Sequence, residues 1–126
     1  MVEFERGLVK ANGQCFGYVR PLSMVTEDDW IALFEGDLGD RVLEKFYLLV
    51  DLSNVEDDFG LYGMSKFVEL IKKLGFGRTR IAVLPPNQFY EIVLRLFEQV
   101  GKQHEMDLEA QAFDSNETAV AWLTRP

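Results

Sequence analysis

Cysteine is nearly absent from this chain, Cys15 being the only one in 126 residues. An intrachain disulfide is therefore excluded, as is a metal cluster built on cysteine. Histidine is equally scarce. His104 is the only one, so a nucleophile–base–acid triad would have to use it as its base. It lies in Gly101-Lys102-Gln103-His104-Glu105, past a helix end and away from the expected strand-end loops, and reads as a surface histidine. No apolar run approaches the roughly 20 residues that cross a bilayer. Met1-Val2-Glu3-Phe4-Glu5 has neither a basic region nor an apolar run, so no signal peptide is expected. Positive charge is also in short supply: 13 Lys and Arg stand against 21 Asp and Glu, a net charge of −8. That balance repels phosphate backbones and anionic head groups, so nucleic acid is not an expected partner. It suits a basic protein patch, or plain solubility. With the lone thiol it also suits a reducing compartment, and the expectation is cytoplasmic.

Hydrophobic residues make up 48% and charged residues 27%, the mixture of an ordinary folded domain. The length fits one domain over residues 1–126. A chain of this size buries roughly two-thirds of its unfolded surface and needs no staple to fold. No repeat, linker or low-complexity tract interrupts it.

Residues 8–19 read as two short strands around Asn12-Gly13, a pair that accepts the positive φ angles of a tight hairpin. Cys15 falls in the second strand, without a basic neighbour, and is expected to be a buried, inert thiol. Thr26 reads as a helix N-cap with Glu27, Asp28 and Asp29 in the first turn. Trp30, Leu33 and Phe34 give that helix an apolar face, and a short helical piece is expected near 41–44. Phe46 to Leu52 is almost continuously apolar, the mark of a strand buried on both faces. Asn54 to Gly63 is a loop rich in Asp and Gly. Met64, Phe67, Val68, Ile71 and Leu74 repeat at helical spacing, with Gly75 as the stop.

Arg80 to Leu84 is a second buried strand, ended by Pro85-Pro86. Phe89, Ile92, Val93, Leu96, Phe97 and Val100 form the clearest amphipathic stripe, and Gly101 fits its end. Ala110 to Phe113 is a last strand. Asp114 with Glu117 reads as a capping box for a final helix carrying Ala119, Val120 and Leu123 inward, with Trp122 partly covering its edge. The expected fold class is α/β: a mixed, mainly parallel sheet with an N-terminal antiparallel hairpin, covered by about four helices.

This order of elements resembles the STAS domain of anti-sigma-factor antagonists. Val50-Asp51-Leu52-Ser53-Asn54-Val55 is similar to that family's strand ending in Asp-Leu-Ser-Gly-Val. Ile81-Ala82-Val83, Phe113-Asp114 and Ala121-Trp122-Leu123 resemble segments of the bacterial SpoIIAA-like subgroup. The resemblance covers nearly the whole chain and rests on short, structural motifs. It implies a small regulatory module. The family places a phosphorylatable Ser after an Asp in the loop matching Glu56-Asp57-Asp58-Phe59-Gly60. With Asp57 aligned to that Asp, Asp58 stands where the Ser would be, so phosphorylation there is not expected. Leu84-Pro85-Pro86-Asn87-Gln88-Phe89-Tyr90 loosely resembles the turn and aromatic helix of the lipid-binding CRAL-TRIO domain.

In an open parallel sheet, ligands bind beyond the C-terminal strand ends. Asp51 and residues 54–63, residues 85–90, and residues 114–116 all fall at that edge. Helix caps and turns alone also account for these residue types. Asp51, Glu56, Asp57 and Asp58 offer oxygens that Mg²⁺ accepts. No phosphate-cradling glycine loop or calcium loop accompanies them, and no metal or cofactor is expected.

Three functional readings follow. The first is a non-enzymatic module that engages an unidentified protein through Asp57, Asp58, Phe59, Leu61 and Tyr62, an apolar cluster beside an acidic loop. Packing at a helix N-terminus explains the same aromatics equally well. The second is a pocket for a small apolar ligand or lipid lined by Phe67, Phe89, Tyr90 and Phe97, against ordinary core packing. The third, an enzyme, lacks a nucleophile–base pair. A homodimer through a sheet edge or an aromatic patch is a further expectation.

Overall fold

The computed structural model describes residues 4–22, 25–26, 28, 32, 45–53, 57–58, 68–69, 72–73, 78–85, 88 and 90–125. Strands β1 (Phe4–Ala11) and β2 (Gln14–Pro21) form the antiparallel hairpin. Its turn holds Asn12 at φ 51° and Gly13 at φ 77°, the doubly positive geometry that the Asn-Gly pair supplies. The ladder runs from Phe4 opposite Pro21 to Ala11 opposite Gln14, longer than the expected 8–19. Polar residues extend it: Glu5, on the edge strand β1, stands opposite Arg20 of β2, with Arg20 Nε 3.6 Å from Glu5 Oε2. Pro21, at the last rung, loses little by lacking an N–H.

Val25–Thr26 (β3) and Asp57–Asp58 (β5) make a separate two-stranded parallel ladder. Thr26, read from the sequence as an N-cap, stands in this ladder two residues before helical Asp28; the extended backbone of a rung is also that of an N-cap. Between them in sequence, β4 (Lys45–Asp51) enters the main sheet, followed by β6 (Arg78–Leu84) and β7 (Asp107–Ala112). The main sheet has the order β1-β2-β4-β6-β7, parallel from β2 onward.

Two helices are delimited among the described residues, α1 (Tyr90–Gln103) and α2 (Asn116–Leu123). The expected count of about four is thus not supported among them. The other two expected helices fall mostly outside the described residues. Of those stretches Asp28, Ala32, Val68, Glu69, Lys72 and Lys73 are described, and all are helical.

The sheet buries both faces. On one, Leu48, Val50, Ile81 and Val83 meet Tyr90, Leu94, Phe97 and Val100 of α1. On the other, Phe16, Tyr47, Leu49 and Ala82 meet Ala119 and Leu123 of α2. This two-sided burial is why β4 and β6 read as nearly unbroken apolar runs. Cys15 is exposed, correcting the expected buried thiol. It alternates with buried Phe16 and so points to the other face, at the hairpin end of its strand.

Both helix boundaries differ from the sequence reading. Gly101 lies inside α1, buried, and does not end it. The helix closes two residues later, with Glu105 N–H donating to Lys102 O and Met106 N–H to Gly101 O, each at 3.0 Å. This is the paired-bond C-terminal motif that normally places Gly in the left-handed position. Here Glu105 occupies it at φ 59°. Glu105→Gly should therefore stabilise the domain by about 0.5–1 kcal/mol, a gain partly offset by glycine's freer unfolded chain. Urea unfolding at constant m reads that gain. The N-cap of α2 is Ser115, whose Oγ accepts from Thr118 N–H at 3.3 Å. Asp114 stands one residue too early for the box expected of it.

Candidate functional site

The C-terminal ends of β4, β6 and β7 form one edge of the molecule, and the backbone ladders continue past the formal strand ends. Leu52 N–H donates to Leu84 O, and Phe113 N–H donates to Val83 O, both at 2.9 Å. One residue before, the half-buried Asp51 turns its carboxylate back on the chain. Its Oδ1 accepts from Ser53 N–H at 3.0 Å and from the Ser53 hydroxyl at 2.6 Å. Such a turn, made by an Asp side chain closing on the backbone two residues on, fixes the direction in which the loop leaves.

Tyr18 on β2 is nearby. Its phenol pKa is raised, first by burial and then by the carboxylates of Asp51 and Glu5, with Arg20 acting in the opposite sense. The phenol is thus held neutral beside Asp51.

From this start the loop reaches β5. Asp57 lies opposite Val25 and Asp58 opposite Thr26, so the acidic segment is tied to the chain that follows the hairpin. Of the expected partner-binding residues, Asp57 and Asp58 are therefore brought to a backbone ladder. Phe59, Leu61 and Tyr62 lie outside the described residues. Of the expected pocket residues, Tyr90 and Phe97 are packed in the core cluster beneath α1, while Phe67 and Phe89 lie outside the described residues.

The architecture can be compared directly with a solved structure. Over 98% of this chain it is similar to the crystal structure of an uncharacterized protein of the DUF3478 family with a SpoIIAA-like fold, from Shewanella loihica PV-4. The TM-score is 0.61, the identity 17%, and 95% of that chain is covered. The fold is SpoIIAA-like. At this identity the likeness speaks to the fold alone. No family model matches the chain, and no curated protein matches it.

On the SpoIIAA-like sheet, His104 lies between the end of α1 and the start of β7, at the opposite edge from Asp51. The Asp51–Ser53 pair therefore receives no imidazole from this chain. Among the described residues, no three His, Cys, Asp or Glu side chains converge as metal ligands. No helix among them is long and apolar enough to cross a membrane.

The opposite edge carries a cluster that the sequence reading missed. Arg80 is only 5% exposed. Its guanidinium lies 5.1 Å from the Tyr47 ring centroid and donates through Nη1 to Arg125 O at 3.1 Å. Its Nε stands 3.8 Å from Glu109 Oε1 and makes no hydrogen bond. Glu109 Oε2 in turn accepts from Arg125 Nη2 at 2.7 Å, and Arg125 lies over Trp122. Beside it, Asn12 Nδ2 donates to Thr124 Oγ1 and Gln14 Nε2 to Thr124 O, so the hairpin tip is tied to the end of α2. The only sequence signal for the cluster was an Arg directly preceding the apolar run Ile81-Ala82-Val83-Leu84.

Proposed function

We propose that this chain is a non-enzymatic binding module that acts by protein–protein contact through the loop following β4. The observation that carries this reading is the tethering of that loop at two points. Asp51 fixes its start at Ser53, and the ladder of β5 with β3 ties its middle to the segment after the hairpin. Fixing a binding segment at two points reduces the conformational entropy it loses when a partner docks. The acidic residues Asp57 and Asp58 are suited to a basic patch on that partner. The separation of the single histidine from the Ser53 hydroxyl supports a role without chemistry of its own.

The test is a pull-down from cell extract read by quantitative mass spectrometry, with the unaltered chain, Asp58→Arg and Tyr62→Ala as baits. A specific partner should fall by about tenfold on Asp58→Arg, corresponding to roughly 1.4 kcal/mol of lost affinity. Equal recovery on all three baits removes the loop from the interface.

A further inference from the structure

The strand order leaves β7 at the edge of the main sheet. It is parallel to β6, and Phe113 N–H continues that ladder by donating to Val83 O. Because backbone groups alternate along a strand, Glu109 and Gln111 turn their N–H groups inward with Phe113. The N–H and C=O groups of Leu108, Ala110 and Ala112 then point outward. Among the described residues, no strand pairs with that side of β7.

A groove of about 240 Å³ lies along this edge. Glu91, Arg95 and Glu98 of α1 stand on one wall, and Glu109, Gln111 and Trp122 on the other. Ala110 and Ala112 belong with the α1 face of the sheet, whereas Trp122 packs with the α2 face. A cavity touched from both faces of a sheet can only lie beyond its last strand. An extended chain laid in it would meet the outward rungs of β7 and both walls together.

We propose that the open edge of β7 is a strand-addition site for an extended, basic segment of a partner protein. The partner's backbone pairs with Leu108, Ala110 and Ala112, and its Lys or Arg side chains lie against Glu91 and Glu98. Main-chain bonds to an exposed edge supply the affinity in this mode, and alternate side chains supply the selectivity. The walls hold three carboxylates against one guanidinium, and Glu109 already pairs with Arg125. That leaves Glu91 and Glu98 against Arg95 on the α1 wall, an excess of one negative charge that favours a basic ligand. The two carboxylates are seven residues apart on α1, about 10 Å along a helix axis. In an extended chain, alternate side chains repeat about every 7 Å, so Lys at every second position always brings one near each carboxylate. A second copy of this chain fits less well, because it would bring another net charge of −8 and a second set of acidic walls to the same edge.

This surface is separate from the loop after β4, and Asp58→Arg should leave it unaffected. The experiment uses three blocked heptapeptides at physiological ionic strength: Lys-Val-Lys-Val-Lys-Val-Lys, its counterpart with Glu in place of Lys, and the Lys peptide N-methylated at alternate nitrogens. Amide hydrogen exchange is followed by NMR on the full chain. The Lys peptide should slow exchange at Leu108, Ala110 and Ala112, and the Glu and N-methylated peptides should not. The double variant Glu91→Lys/Glu98→Lys, at one exposed and one half-buried position of α1, should weaken the Lys peptide about tenfold, the effect of reversing two surface ion pairs. Protection elsewhere, no protection, or binding indifferent to N-methylation overturns the proposal. So does a concentration-dependent dimer that protects the same three amides without peptide, since the occupant is then a second copy.

Discussion

Gly101→Val should lower the stability of the domain by about 3 kcal/mol, at the upper end of what overpacking a core costs. A Cβ built on Gly101 meets Leu108 Cδ2 at 2.6 Å, Leu108 Cβ at 3.0 Å and Leu108 Cγ at 3.3 Å. The Cδ2 methyl could swing aside, but Cβ is fixed to the strand. Relief therefore requires α1 to move away from β7. Leu108 is 5% exposed and belongs to the core cluster under α1, so that movement opens packing around Phe97 and Val100 as well.

Helix propensity works the other way, since replacing a mid-helix glycine with alanine is worth about 1 kcal/mol. Gly101→Ala should accordingly show a smaller loss, about 1 kcal/mol, as propensity offsets part of the clash. For a domain of this size the valine variant corresponds to a fall in Tm of about 10 °C. Differential scanning calorimetry measures it. A valine variant as stable as the parent would mean that α1 and β7 are not in the close contact seen here.

Gly101 also shows where the sequence was open to reading and where it was not. A glycine after an apolar stripe at helical spacing carries the ordinary signal for a helix stop. Here its lack of a Cβ serves close approach to Leu108, a contact between residues whose facing no local pattern encodes. The real stop uses Glu105 in a conformation that glycine usually takes, so it leaves no compositional mark. Ser115 and Asp114 differ by one position, and both are good caps; only the backbone geometry separates them.

The central strands were plain in advance because Leu48, Leu49, Val50, Ile81, Ala82 and Val83 are buried on both faces. The outer strands were placed short. Phe4–Ala11 and Asp107–Ala112 carry Glu5, Arg6, Lys10, Asp107 and Glu109, and polar residues at an edge break the apolar alternation. The pairing of Val25–Thr26 with Asp57–Asp58 is too short for any period to reveal. At the candidate site, the Asp51 strand end and its acidic loop were legible as the terminus of a buried strand. The groove along β7 was not, because it exists only once strand order is known.

Arg80 gives the second large effect. Glu109→Gln should destabilise the domain by about 2 kcal/mol, and Arg80→Met should change stability by less than about 1 kcal/mol in either direction. A buried charge that loses its partner costs about 3–5 kcal/mol, whereas an apolar side chain of similar volume replaces the pair at little loss. The lower figure for Glu109→Gln reflects solvent screening, because the Glu109 side chain is 37% exposed while that of Arg80 is 6% exposed.

The double variant Arg80→Met/Glu109→Gln should be close to Arg80→Met alone, giving a coupling of about 2 kcal/mol. Methionine keeps the contact with the Tyr47 ring and gives up the bond to Arg125 O, which faces the end of α2 and has water as an alternative. Urea unfolding of the four proteins closes the cycle. Additive losses would mean that Glu109 acts on Arg125 alone. The coupled result identifies the Arg80 guanidinium, with its Nε unbonded inside the fold, as the charge that Glu109 neutralises. It would also mean that this end of the sheet is held by packing of the arginine stem over Tyr47 more than by the ion pair itself.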